Sequence, residues 1–224
     1  MTFSTSGTLS ALPEDRAALA AGVFIAAVGE DLVVLDLRTD AYACIPEAAR
    51  HVTLADGAVV SDLGVLGALA DAGLLAEGPP ENRPSASSSP VRTLDHRPLL
   101  FAAPAWPSLA MAAMTYGRLG PNPSVQSLLE ALPRKPAGHS SERSVAKMTR
   151  AFQQLLPWLP GQGACLYRAF LLLTLLRRAG LDADWVFGVK TWPFSAHCWI
   201  QFGDAVLDDD PERVSAYRPI MVVQ

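Results

Sequence analysis

Cys165, His197 and the acidic pair Asp208-Asp209 are the residues whose types and order could carry covalent chemistry. A thiol attacks a carbonyl as thiolate, an imidazole beside it takes the proton, and a carboxylate behind the imidazole fixes its tautomer. Such a set forms a thioester and passes the acyl group on to water or to an amine. A metal site competes for the same residues, since His197 and Cys198 are both potential ligands. Consecutive strand residues point to opposite faces, and no CxxC spacing occurs in the chain, so no metal is expected. No phosphate-cradling GxxxxGK[ST] loop or dinucleotide fingerprint is present either, so no cofactor is expected.

The thiol needs a rigid element beneath it. Gly161-Gln162-Gly163-Ala164 leads into an apolar run that predicts a helix from Cys165 to Arg178 or Ala179, closed by Gly180. Free N–H groups and the positive dipole end at a helix start favour thiolate, and the same N–H groups can hold an oxyanion. Gln162 is a candidate second donor for that oxyanion. Strands are predicted over 184–189 and 196–202, and a third over 205–210 returns through Gly203-Asp204. A helix-borne Cys, a His on one strand and an Asp on the next is the order of a papain-like or transglutaminase-like triad. A two-residue turn at Gly203-Asp204 pairs Trp199 with Asp208 and puts Asp208 on the His197 face; a longer loop or bulge brings Asp209 there. Trp192 and Trp199 are candidate walls of a substrate pocket. Upstream, helices are predicted over 104–117 and 121–132, with a further helix capped by Ser140 or Ser141.

The remaining third of the chain has another character. Residues 1–78 carry 3 basic and 11 acidic side chains, whereas 79–224 carry 15 and 11. A Pro/Ser-rich run over 79–90 reads as an extended, solvated linker. We expect three parts: residues 1–78, a linker over 79–103, and a domain over 104–224. In the first part, strands are predicted at Val23–Val28, 32–37 and Ala41–Ile45. A helix from Pro46 to about Ala49 and another after Ser61-Asp62, ended by Gly73, follow them. Three strands with short helices make a winged-helix-like module, and the whole chain is expected to be α+β. A net charge of −8 over this module is wrong for displacing counterions from phosphates, so nucleic acid is not an expected partner. An exposed edge on its small sheet could instead accept a peptide as an added strand. Cys44, in an alternating strand, is expected to be a buried small hydrophobe.

The longest apolar stretch, 169–176, falls well short of the roughly 20 residues a bilayer span needs, so no membrane association is expected. The start Met-Thr-Phe-Ser-Thr-Ser lacks a basic segment, and three cysteines fit free thiols in a reducing compartment. A cytoplasmic location is expected.

Taken together, Cys165-Leu166-Tyr167-Arg168 opening an apolar helix, Leu175-Leu176-Arg177-Arg178-Ala179-Gly180, Gly188-Val189, Ala196-His197-Cys198-Trp199 and Leu207-Asp208-Asp209 resemble the lasso-peptide maturation B proteins. The resemblance implies a transglutaminase-like cysteine peptidase that removes the leader of a ribosomally made precursor, with a PqqD-like leader-recognition domain at its N-terminus. It implies Cys165 as nucleophile, His197 as base and Asp209 as the acid, although this chain has Asp208-Asp209 where the family commonly has Asn-Asp. It also implies leader docking along Ala41, Tyr42, Ala43, Cys44 and Ile45, beside Leu63 and Leu66. The partners implied are the precursor and an ATP-dependent, asparagine-synthetase-like cyclase that closes the macrolactam. Two other readings remain open at this stage: an acyltransferase that passes the thioester to an amine, and a non-catalytic chaperone that presents the precursor.

Overall fold

The computed structural model describes residues 15–55, 58–61, 63–77, 90, 92–94, 105–159 and 164–224. The run over 79–89, the N-terminal hexapeptide, Asp62 and the approach residues Gly161, Gln162 and Gly163 lie outside the described residues. The chain is α+β, with two small sheets in its N-terminal part and a larger helix-backed sheet in its C-terminal part.

β1 (Asp15–Leu19) precedes a three-strand meander of β2 (Val23–Val28), β3 (Asp31–Asp36) and β4 (Ala41–Ile45). These three strands fall where short apolar runs bounded by turn residues predict them. Tight reversals separate them: Gly29 supplies a positive φ of 61°, and Asp40 adopts the same left-handed region at 52°. After β4 the chain makes only a 3₁₀ turn, Ala48–His51, where a helical turn from Pro46 was expected. β5 (Val52–Ala55) and β6 (Ala58–Ser61) follow, then α1 (Leu63–Asp71) and β7 (Leu75–Ala76). A second sheet, in the order β5-β6-β1-β7, is thereby built from strands too short to show in the periodicity.

β3 is buried along nearly its whole length, which a two-sided position explains. Val34 points into a small core with Leu19, Val23, Val59, Leu66 and Leu69. Val33 and Leu35, one residue to either side, join Ala26 and Leu37 in the main core of the C-terminal part. The meander is therefore a middle layer, and β2 packs against the last strand of the chain. Polar bonds reinforce this seam. Trp192 Nε1 donates to Asp31 Oδ2 at 2.7 Å, and the Val125 N–H donates to Asp40 Oδ1 at 3.1 Å. In the stretch read as a linker, β8 (Arg92–Thr93) pairs with a later strand and Leu94 is buried in the main core, so that stretch is not solvated throughout.

The C-terminal part begins with α2 (Trp106–Arg118), α3 (Val125–Ala131) and α4 (Glu142–Leu155). Of the two candidate caps for α4, Ser141 takes the role and accepts from the Ser144 N–H; Ser140 Oγ instead accepts from the Asp182 N–H. α5 (Cys165–Arg178) lies centrally, with every residue from Ala169 to Leu176 buried. An all-round apolar helix of this kind can only be a core helix. It packs between α2, α4 and the sheet formed by β9 (Asp184–Lys190), β10 (Ser195–Phe202), β11 (Ala205–Val206), β8 and β12 (Arg218–Val223), with α6 (Pro211–Ser215) before β12. The strand order is β12-β9-β10-β11-β8. On the other sheet face Val186, Trp199, Val206, Val214 and Val222 form a small separate core. Among the described residues, no helix is long and apolar enough to cross a membrane.

Candidate active site

Cys165 is the first residue of α5. Its N-cap, Ala164, has no side chain that could satisfy the free N–H groups of the first turn, so these remain available to a ligand. The thiol is partly buried and shares hydrogen bonds with the Cys198 thiol and the His197 ring. These contacts, Cys198 first and His197 next, outweigh burial and pull its pKa down to about 4. Cys198 goes the other way: it is 2% exposed, and burial holds its thiol well above the usual range. Two neighbouring thiols are thus sharply differentiated, and Cys165 is the one present as thiolate. Cys44, expected to be buried, is exposed, on a strand that is the outer one of its sheet among the described residues.

His197 sits on β10 opposite Gly188 of β9, between the rings of Trp199 and Tyr217. A Cβ on Gly188 would come within 2.8 Å of the Trp199 ring and 2.9 Å of the Tyr217 Cβ, so the absence of a side chain there lets both rings flank the imidazole. His197 is only 8% exposed, and its Nε2 lies 2.5 Å from Asp209 Oδ2. That contact leaves Nδ1 as the nitrogen available to the thiol proton. The hydrogen bond with Cys165 raises the His197 pKa most; the Asp209 carboxylate adds to it against the opposing effect of burial.

The structure thus brings Cys165, His197 and Asp209 together, and Asp208 occupies a different place. The β10–β11 loop has two residues, with Phe202 opposite Ala205 and Gly203 at a positive φ of 58°. Strict alternation would then have carried Asp208 to His197. The ladder stops one step earlier. The Leu207 N–H still donates to the Ile200 carbonyl at 2.9 Å, but the Ile200 N–H donates to Asp208 Oδ1 at 2.8 Å rather than to a strand carbonyl. With the carboxylate in the place of a backbone acceptor, the chain turns out of the sheet and Asp209 reaches the imidazole. Asp208 itself is buried, and burial pushes its pKa up to about 7 against the lowering effects of the Ile200 N–H and the Arg168 charge.

The other expected site residues are placed as follows. Ala41, Tyr42, Ala43, Cys44 and Ile45 form β4, whose outer edge pairs with no strand among the described residues and whose residues are exposed or half-buried. Leu63 opens α1, whereas Leu66 is buried in the small core, so it does not present a contact surface. Trp199 is buried and Trp192 is 77% exposed; of the two expected pocket walls, neither lines the described cleft. That cleft, of about 510 Å³, opens beside Ala164 between Tyr116, Gly120, Pro121 and Tyr167. Tyr42 was read only as part of a docking strand. It packs its ring against Phe194 at 5.7 Å, and burial raises its pKa, with smaller contributions from the charges of Cys198, Asp40 and Cys165. No grouping of three or more His, Cys, Asp or Glu able to hold a metal occurs among the described residues.

A helix-borne thiol beside a strand-borne imidazole and a carboxylate is an arrangement able to form and pass on a thioester, and a family model covers the same part of the chain. The transglutaminase-like superfamily matches residues 109–222, just over half of the chain, and the chain belongs to that superfamily. A shorter stretch of 47 residues is 38% identical to the Microcin J25-processing protein McjB of Escherichia coli. That similarity spans 21% of this chain and 23% of the relative's length. Both findings support the resemblance to lasso-peptide maturation B proteins. No solved structure matched the chain.

Proposed function

We propose that this protein is a cysteine peptidase that binds the leader of a ribosomally synthesised lasso-peptide precursor and cleaves it off, releasing the core peptide for macrolactam closure. The observation that carries the proposal is the meeting of Cys165, His197 and Asp209 at the start of a buried helix, in a chain similar over a short stretch to a microcin-processing protein. In this reading the Cys165 thiolate attacks the carbonyl at the leader–core junction. N–H groups of the first α5 turn hold the oxyanion, and the His197 imidazolium gives its proton to the departing amine. Water, deprotonated by His197, then hydrolyses the thioester. Asp209 keeps the imidazole in the productive tautomer throughout.

Residues 1–78 are the leader-recognition domain and residues 104–224 the peptidase domain. The leader adds as a strand to the outer edge of β4, contacting Ala41 to Ile45 beside the start of α1. The seam between the β2–β4 meander and the peptidase layer supports a fixed path from docking strand to thiol, so bound leader meets the site at an effective concentration of about millimolar. An ATP-dependent cyclase takes the freed core peptide, and the work is done in the cytoplasm. The superfamily's name favours one alternative, transfer of the acyl group to an amine rather than to water.

The test is a comparison of two substrates. A full-length precursor should be cut far faster at low concentration than one lacking its leader's docking segment, with water-derived ¹⁸O in the released carboxylate. Equal rates would sink the docking half of the proposal. A labelled amine in place of ¹⁸O would replace hydrolysis with transfer.

A further inference from the structure

Asp209 can serve His197 only if the segment that carries it is held still. That segment lies just beyond the Leu207 N–H, which makes the last bond of the ladder, to the Ile200 carbonyl. Three side-chain bonds tie its near end to three other elements, while the Arg213–Asp209 ion pair at 3.7 Å and the Asp210 cap of α6 lie on its far side. Gln153 Nε2 on α4 donates to the Leu207 carbonyl at 3.2 Å. The Arg168 guanidinium on α5 donates to the Asp208 carbonyl. The Asp208 carboxylate accepts the Ile200 N–H of β10. Arg168 stands three residues after Cys165, on the same face of α5 and one turn below the thiol. Ile200 stands on the strand that carries His197.

Building on the peptidase reading, we propose that Arg168, Asp208 and Gln153 are positioning residues. Their clamp ties the acid's backbone to the nucleophile's helix and the Asp208 side chain to the base's strand. Asp208 is then not a spare acid but the anchor of its neighbour. Two features set the arrangement apart from an ordinary ion pair. The guanidinium Nε is buried with no hydrogen-bond partner, so Arg168 spends its donors on a carbonyl and leaves one unsatisfied. The Asp208 carboxyl, for its part, is kept in a buried site that disfavours its charge.

The test needs no precursor. The pH dependence of Cys165 alkylation by iodoacetamide reads how well the imidazolium stabilises the thiolate, which a merely structural role would not move. Wild type, R168M, R168K, Q153A, D208A, D208N and D209N would be compared, with thermal unfolding measured alongside. R168M and D208A should move the reactivity midpoint up by about one pH unit or more, towards D209N, because a displaced carboxylate no longer supports the imidazole. Q153A and R168K should move it less, and R168K serves in place of R168M should the latter fold poorly. D208N should behave as wild type, since its amide oxygen still accepts the Ile200 N–H. Wild-type profiles in folded R168M and D208A would overturn the clamp, and so would a D208N shift as large as that of D209N. A wild-type protein that cuts no precursor but shows the predicted shifts would leave the clamp standing and remove only the peptidase reading.

Discussion

At the scale of single residues, two thiols within hydrogen-bonding distance have opposite fates because one meets a helix start and an imidazole while the other meets the core. C165A should abolish cleavage, whereas C198S, which keeps a donor towards Cys165, should retain most activity; paired assays on both variants check this. The coupled shifts also fix a pH window. Cys165 is lowered to about 4 and His197 is raised above its ordinary value. The reactive pair is therefore assembled as pH rises through about 4 and lost as pH rises through the elevated His197 value. Alkylation of Cys165 should remain fast at pH 5, where an ordinary cysteine is inert; a midpoint near 8 to 9 would contradict the account. Asp208 shares the sign of linkage of His197 and opposes that of Cys165. Its folded pKa, about 7, lies above its unfolded value, so the folded state holds an extra proton between about pH 4 and 7 and stability falls as pH rises through that range. D208N should flatten this fall, as measured by denaturant unfolding across pH.

At the scale of elements, local sequence announced much of what positions the site. The length and ends of α5, the two long strands, the Gly203-Asp204 loop and the three strands of the meander were all legible, because each is an apolar run or the turn that bounds one. What was not legible depended on contacts distant in the chain. β1, β5 and β6 are short, and β3's double burial hides their shared core. The choice between Asp208 and Asp209 could not be read from alternation, because the ladder ends where a carboxylate displaces a carbonyl at Ile200. Exposure of Cys44 goes with β4 being the outer strand of its sheet among the described residues, which no local pattern reports. Gly188 offers a test at this scale. G188A would push the added methyl against Trp199 and Tyr217, both packed around His197. It should destabilise the protein by roughly 1–3 kcal/mol, read by chemical denaturation, and depress activity beyond the folded fraction lost. An edge substitution acts differently: A43P on β4 should weaken precursor binding while leaving the Cys165 alkylation profile unchanged.

At the scale of the whole molecule, the meander belongs to two cores at once. Leu35 is fully buried and belongs to the main core of the C-terminal part although its strand belongs to the N-terminal part. L35A should cost about 2–5 kcal/mol and lower a single cooperative melting transition, rather than splitting it into two, as scanning calorimetry would show. Under the proposed function, a shared core of this kind would hold the docking strand and the thiol in a fixed relation. The measurement that bears most directly on this account is intact-mass spectrometry of a cognate precursor after incubation with wild-type protein, with C165A and with D209N, each with and without the cyclase partner. The account predicts one leader-sized mass loss in the wild-type reaction, none with C165A and a strongly slowed loss with D209N. Precursor that stays whole with wild type in both conditions, yet remains bound to the protein, would contradict it and leave a binding module in place of a peptidase.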